Sequence, residues 1–198
     1  MQDFWNERYR QPEFVYGKQP NEFFKQQIDL ITTGSILLPA DGEGRNAVYA
    51  ASQGWDVTAI DYSKEAQQKA LQLAKTQDVE IQYHLSDLAA YDYNKSTYDA
   101  AAFIYVHLPR SIINEVYQKV IKSLKKGATV IVEVYSINQL GRDSGGPSDE
   151  RVLYTKDRLR ELLTGTDIQM LEEHEIELQE GKFHSGKAMV LRAIATHS

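Results

Sequence analysis

The chain contains no cysteine among its 198 residues. That single absence removes disulfides, thiolate metal ligands and a cysteine nucleophile together. Also lacking is any apolar run near the ~18 residues that a bilayer span requires, so no membrane partnership is expected. The opening residues, Met1-Gln2-Asp3-Phe4-Trp5-Asn6-Glu7-Arg8, have no basic stretch followed by an apolar one. A secretory leader is therefore not expected, and a cytoplasmic location is. Positive charge is the minority sign: 22 Lys and Arg face 28 Asp and Glu, a net charge of −6. A field of that sign disfavours phosphate backbones, which argues against nucleic acid as a partner. The basic cluster at 122–126 falls where a helix should end, a position that suits cations without any ligand. There is no repeat, linker or low-complexity segment, and the length suits one well-buried domain, 1–198.

What is present is an alternation. Strand-like runs at 35–40, 56–61, 80–86, 99–106 and 128–135 are separated by helix-like segments at 45–53, 63–76 and 110–124. A further helix at 20–31 precedes them, with Phe24, Ile28 and Ile31 at helical spacing. Ser63 suits the N-cap of the second interior helix, Pro109 the first turn of the third, and Gly127 follows the third. Such alternation implies parallel strands joined by right-handed crossovers, with helices on both faces. The last third differs. After a polar loop at 137–150 and a short helix at 155–164, two long strand-like stretches, 167–179 and 183–195, meet around Glu180-Gly181. A connection that short makes an antiparallel hairpin.

Chemistry concentrates in Ile36-Leu37-Leu38-Pro39-Ala40-Asp41-Gly42-Glu43-Gly44-Arg45-Asn46, an apolar strand running into a glycine turn and then a helix. Gly42 and Gly44 permit positive φ and close backbone approach, and the helix offers free N–H groups. Asp61, seventeen residues after Gly44, ends the second apolar run, where a ribose diol is held in nucleotide-binding folds. The same letters satisfy the G-x-G-x-x-A form of the dinucleotide fingerprint, a weak signal alone. Three features point away from nicotinamide. Asp87 follows the third strand, suited to an adenine amino group; the chain closes in a hairpin; and little sequence is left for a substrate domain.

Taken with these, several motifs carry a family resemblance. They are Trp5-Asn6-Glu7-Arg8-Tyr9, Tyr16-Gly17 with Pro20-Asn21, the glycine turn, Asp61-Tyr62-Ser63, and Ser86-Asp87-Leu88. His107-Leu108-Pro109, Gly145-Gly146-Pro147 and Glu180-Gly181-Lys182-Phe183-His184-Ser185-Gly186 complete the set. The chain resembles the class I S-adenosylmethionine-dependent methyltransferases, in the branch that includes tellurite-resistance and thiopurine methyltransferase-like proteins. The resemblance implies an α/β Rossmann-like three-layer sandwich, a mostly parallel seven-stranded sheet of order 3-2-1-4-5-7-6 with an antiparallel C-terminal strand. It implies that Ala40, Asp41, Gly42, Glu43, Gly44, Arg45 and Asn46 wrap the methionine portion of S-adenosylmethionine. Asp61 then binds the ribose, Tyr62 beside Ser63 lies on the adenine, Asp87 and Leu88 hold its edge, and Tyr105, Val106 and His107 line the site beneath. Leu38 stands where the family commonly has an acid and Ala40 where it has glycine, which turns attention to Asp41 and Glu43.

Methyl transfer displaces a sulfur leaving group that needs no proton, so positioning dominates and a base is required only for a protonated acceptor. Two histidines are candidates. His107 follows the fourth strand, and His184 opens the last one, which topology brings to the same ligand-binding edge. His84, His174 and His197 have no comparable placement, and no pair has metal-ligand spacing. Asp143-Ser144-Gly145-Gly146-Pro147 echoes the nucleophile signature of trypsin-like proteases, but in an alternating α/β chain it reads as a loop, part of an active-site cover at 137–154. The aromatic N-terminal segment, 1–34, reads as a lid over the cofactor, with Tyr16 closest to the site. The expected function is methyl transfer to a small-molecule acceptor, a thiol or chalcogen anion. The rivals are a nicotinamide-dependent reductase and a noncatalytic sensor of the same cofactor.

Overall fold

Apolar residues in alternation decide the architecture. In the structure, a computed structural model describing residues 2–93 and 97–198, strand β1 (Ser35–Pro39) sends Ile36 and Leu38 to one face and Leu37 to the other. The first pair packs against Phe23, Phe24 and Ile28 of α2 (Glu22–Ile28) and Ala47 and Ala50 of α3 (Arg45–Ser52). Leu37 joins Ile113, Val116, Tyr117 and Val120 of α5 (Arg110–Ser123). Each such side chain contributes roughly 1.5–3 kcal/mol by leaving water. The result is a sheet between two helical layers.

The remaining elements are α1 (Gln2–Tyr9), β2 (Asp56–Asp61), α4 (Lys64–Thr76), β3 (Gln82–Leu85), β4 (Tyr98–Ile104), β5 (Leu124–Tyr135), α6 (Lys156–Leu162), β6 (Thr166–Gln179) and β7 (Ser185–His197). The seven strands run in the order 3-2-1-4-5-7-6, as expected. β1–β5 are mutually parallel, while β7 pairs antiparallel with both β5 and β6. Ser63 caps α4 by accepting the Ala66 N–H, and Thr155 caps α6 by accepting the Arg158 N–H. No helix among the described residues is long and apolar enough to cross a membrane.

Several boundaries differ from the sequence reading. The aromatic lead contains a helix, α1, which periodicity did not reveal because both its faces are largely polar. Asn21 caps α2 and shortens the stretch expected at 20–31. Gly127 does not terminate α5. That helix stops at Ser123 and leads directly into β5, whose register against β4 shifts between Tyr98 and Ala100 while Gly127 takes φ +80°. β4 stops at Ile104 because Tyr105 turns to φ +54°, and β7 starts at Ser185, leaving His184 in the preceding turn.

Candidate functional site

Parallel strands end on one edge, so the tips of β1, β2, β4 and β5 open onto common ground. The antiparallel β7 begins there too. Sheet order reverses between β1 and β4, the switch point where open α/β sheets bind ligands. A cavity of about 540 Å³ lies there, roofed by Phe4, Trp5, Arg8 and Tyr9 of α1 and walled by residues 145–149.

The turn after β1 is held by backbone strain and by Asp61. Ala40, Gly42 and Gly44 all have positive φ: +55°, +58° and +83°. The Gly42 N–H donates to Asp61 Oδ2 at 3.1 Å and the Ser63 N–H to Oδ1 at 2.9 Å, while the Tyr83 hydroxyl donates to the Gly42 carbonyl at 2.6 Å. Gly44 starts α3 without a capping side chain. Asp41 does that work, accepting the Ala47 N–H on Oδ2 at 3.3 Å. Among the described residues Asp41 forms no ion pair. Burial pushes its carboxyl up to about 7, against hydrogen bonds from Ala47 and Asn46 and the charge of Arg45. Burial likewise raises Asp61 to about 6, opposed by backbone N–H groups of Ser63, Gly42 and Tyr62.

A second group of charges ties the N-terminal segment to the body. Glu43 accepts the Val15 N–H on Oε2 at 2.8 Å and pairs with Lys69 through Oε1 at 2.7 Å. Arg45 bonds Glu180 at 2.8 Å, and Asn46 Oδ1 accepts the Asn21 N–H at 2.9 Å. Asn21 then donates from Nδ2 to both Glu133 and Glu180, at 2.6 and 3.0 Å. Glu133, fully buried in β5, also accepts from Tyr105 and pairs with Arg192 at 2.6 Å. Gly181 is where this strap crosses the hairpin turn. A Cβ there would come within 2.5 Å of the Val15 carbonyl oxygen.

On the far wall, Tyr105 stacks on Tyr135 with centroids 4.8 Å apart, and His184 lies edge-on to both. His107 is committed at both nitrogens. Nδ1–H donates to the Val152 carbonyl at 2.8 Å, and Nε2 accepts the Tyr135 N–H at 3.2 Å. Burial holds it near pKa 4, a neutral ring bracing the end of β5 against the turn at Val152. His184 Nδ1–H donates to Glu180 at 3.2 Å. Burial depresses His184, although Glu180 opposes that. Glu180 itself stays ionised: burial works against the charge, but His184 and Arg45 hold the carboxyl down at about 2.

Of the residues the sequence nominated, Tyr16, Ala40, Asp41, Gly42, Glu43, Arg45, Asn46, Asp61, Tyr62, Tyr105, Val106, His107 and His184 line the cavity. Glu43, Arg45 and Asn46 do so with polar atoms already bound to protein. Four nominees stand outside the lining. Gly44 packs on Ala70, whose Cβ a glycine-borne Cβ would approach to 2.5 Å. Ser63 caps α4, Leu88 belongs to the core, and Asp87 turns its Oδ1 onto the Ala89 N–H. Ser144 is no nucleophile: its hydroxyl donates to the Lys187 carbonyl and accepts from Gln139. No group of three or more His, Asp or Glu among the described residues could hold a metal. Sequence reasoning missed Asn21, Glu133 and Tyr135 as site builders. Glu133 carried a readable signal, a lone acid within the apolar run Val130-Ile131-Val132-Glu133-Val134.

Residues 36–127 match the family described as methyltransferase domain. No curated protein matches the chain in sequence. Among solved structures, a protein described for the conversion of a disulfide bond into a thioacetal group during echinomycin biosynthesis is 14% identical. It aligns over 100% of this chain and 92% of its own, with a TM-score of 0.82. TehB from Haemophilus influenzae is 17% identical over 100% of this chain and 67% of its own, TM-score 0.74. The N-methyltransferase NodS from Bradyrhizobium japonicum, solved with S-adenosyl-l-homocysteine, is 12% identical over 99% and 97%, TM-score 0.73. The fold is that of S-adenosylmethionine-dependent methyltransferases.

Proposed function

We propose that this protein transfers the methyl group of S-adenosylmethionine to a small-molecule acceptor. The observation that carries the reading is Asp41: a half-buried acid at the tip of β1, lining the cavity and, among the described residues, without an ion-pair partner. A ligand bearing a sulfonium and an ammonium supplies the missing positive charge. A nicotinamide dinucleotide brings a pyrophosphate, two negative charges, into a cavity already lined by Asp41, Glu43 and Asp61. Charge therefore favours the methyl donor over the reductase reading.

With three backbone N–H groups already on it, Asp61 keeps one lone pair for a ribose hydroxyl, and Tyr62 and Tyr105 offer aromatic faces. When bound, the cofactor supplies an electrophilic methyl group. What the chain supplies is enclosure and alignment. In this reading the N-terminal segment and the 137–154 loop cover the cavity of a single domain. The resemblance to tellurite-resistance and thiopurine methyltransferase-like proteins supports a soft acceptor, a thiol or a chalcogen anion. Titration calorimetry with S-adenosylmethionine, S-adenosylhomocysteine and NADH tests the reading. The first two should bind and the last should not. Binding of NADH alone would overturn it, and binding of S-adenosylmethionine without turnover of any acceptor would favour the sensor.

A further inference from the structure

The wall opposite the glycine turn contains a hydroxyl with no partner. Tyr135 is 1% exposed, lines the cavity, and its Oη has no hydrogen-bond partner among the described residues. Leaving such a group unmatched costs on the order of 1–3 kcal/mol, so its persistence beside a cavity calls for a ligand. The ring cannot swing away. Tyr105 stacks on one side of it, and Gly146 is close enough that a Cβ there would lie 3.0 Å from Tyr135 Cδ2.

Beside that hydroxyl stands His184, 7% exposed, with Nδ1–H fixed on Glu180. The tautomer is thereby set, and Nε2 carries the free lone pair. Gly145 shows how near the two groups are. A Cβ built on it would sit 3.2 Å from Tyr135 Oη and 3.1 Å from His184 Cδ2, the ring atom bonded to Nε2. That point is itself filled against the Phe183 carbonyl, but it shows the hydrogen-bond donor and the proton acceptor to be neighbours in one wall.

We infer that Tyr135 and His184 form the acceptor subsite, and that its substrate is a neutral thiol rather than a preformed chalcogen oxyanion. The inference rests on the methyltransferase reading and narrows it. The acceptor thiol gives its proton to His184 Nε2 and its sulfur bonds the methyl carbon. The electron pair of the broken carbon–sulfur bond stays on the donor sulfur, leaving a neutral thioether. Tyr135 donates to a sulfur lone pair not used in the bond and fixes the approach. Among the described residues an incoming oxyanion meets no free cation here. Arg45 is spent on Glu180, and Arg8 is at the roof, bonded to the Tyr16 hydroxyl and flanked by the Phe4 and Phe183 rings at 4.6 Å each. The charged or titratable groups about His184 are Glu180, Arg45, Glu133, Tyr16, Tyr105, Tyr135 and His107; burial depresses the imidazole against Glu180, which leaves the ring neutral with its Nε2 lone pair available.

The test compares benzyl mercaptan, protonated at neutral pH, thiophenol, largely ionised there, and tellurite. Wild type should methylate both thiols in preference to tellurite. His184→Asn should cut kcat/KM for benzyl mercaptan about 100-fold and for thiophenol only severalfold, and its pH profile should then follow the thiol's own ionisation. Tyr135→Phe should weaken calorimetric binding of benzyl mercaptan to the S-adenosylhomocysteine complex by about 3–10-fold. Equal loss with both thiols in His184→Asn, unchanged thiol binding in Tyr135→Phe, or tellurite as the better acceptor overturns the assignment. Calorimetry of each variant with S-adenosylmethionine separates the two levels. Cofactor affinity that survives while the thiol pattern fails sinks only the subsite, whereas a wild type that never binds the cofactor sinks the function.

Discussion

The two walls of the cavity are built differently. The cofactor wall is assembled mostly at shorter range, Asp41 reaching Ala47 and Gly42 reaching Asp61, with Tyr83 the more distant prop on the Gly42 carbonyl. The opposite wall, where Tyr105 and His184 face the cavity, is backed by a network of strangers. Asn21 bridges Glu133 and Glu180, Arg45 reaches Glu180, and Arg192 reaches Glu133. A short-range cradle can form as soon as its strand and helix pack. A buried polar network of distant residues exists only when the sheet, the hairpin and the N-terminal segment are all in place. The first wall should therefore tolerate the loss of one bond, while the second should fail as a unit.

The largest effect is expected where the distant wall is most buried. Glu133→Ala leaves Arg192 and Tyr105 without their acceptor and Asn21 with half its partners. Breaking a buried pair on one side costs about 3–5 kcal/mol. Urea denaturation should register that loss, and a change below 1 kcal/mol would show that the network contributes little. Next is Gly44→Ala on the near wall. The new Cβ meets Ala70 Cβ at 2.5 Å and Cα at 2.9 Å, at a backbone φ of +83°. Left-handed strain and overpacking together predict a loss of about 2–4 kcal/mol, measurable as a lowered Tm.

A third effect distinguishes the walls by pH. Asp41 is raised to about 7 in the fold and is ordinary when unfolded, so its contribution to stability is fully present below pH 4 and is lost as pH rises through 7. Asp61, raised to about 6, adds to the same trend slightly lower. The cofactor-free protein should thus lose roughly 4–7 kcal/mol from these groups between pH 4 and 8. Affinity for the cationic cofactor should rise over the same interval as the carboxylates ionise. Asp41→Asn should flatten both trends, raising the apo Tm at pH 8 while weakening binding at least tenfold. Scanning calorimetry at several pH values reads this directly, and an Asn variant as pH-dependent as wild type would remove Asp41 from the role. On the distant wall Glu180 is lowered to about 2, so it contributes the opposite slope, confined to strongly acidic pH.

How much was legible follows from the same contrast. The strand–helix alternation, the closing hairpin and the glycine turn could be read because periodicity and turn residues act within a few positions of themselves, whereas the strand order came only with the family resemblance. Asp61 and the edge position of His184 followed from topology. Glu43 was legible as an acid near the turn but not as the acceptor of the Val15 N–H, since nothing in the letters at 43 points to 15. Asp87 could be placed at the end of β3, yet its carboxylate turns onto Ala89, a choice made by local backbone geometry. The partnerless hydroxyl of Tyr135 was invisible for a similar reason: a tyrosine in an apolar strand looks like core until its neighbours are counted.

The smallest prediction concerns Ala40, the residue standing where the family commonly has glycine. Its φ of +55° places a Cβ in the left-handed region, which costs an alanine roughly 1–2 kcal/mol. Glycine removes that strain but gains freedom in the unfolded chain, worth about 0.4–1 kcal/mol in the other direction. The Ala40 N–H donates to the Ile60 carbonyl at 2.7 Å, a bond that glycine keeps. Ala40→Gly should therefore stabilise the protein by about 0.5–1 kcal/mol, a rise of a few degrees in Tm. It should not disturb the distant wall, because no bond of that network passes through residue 40. If the substitution instead destabilised the fold, the alanine methyl would be making a packing contact worth more than its strain. Its place against the core cluster of Leu37, Ile60 and Phe103 is where that contact would be found.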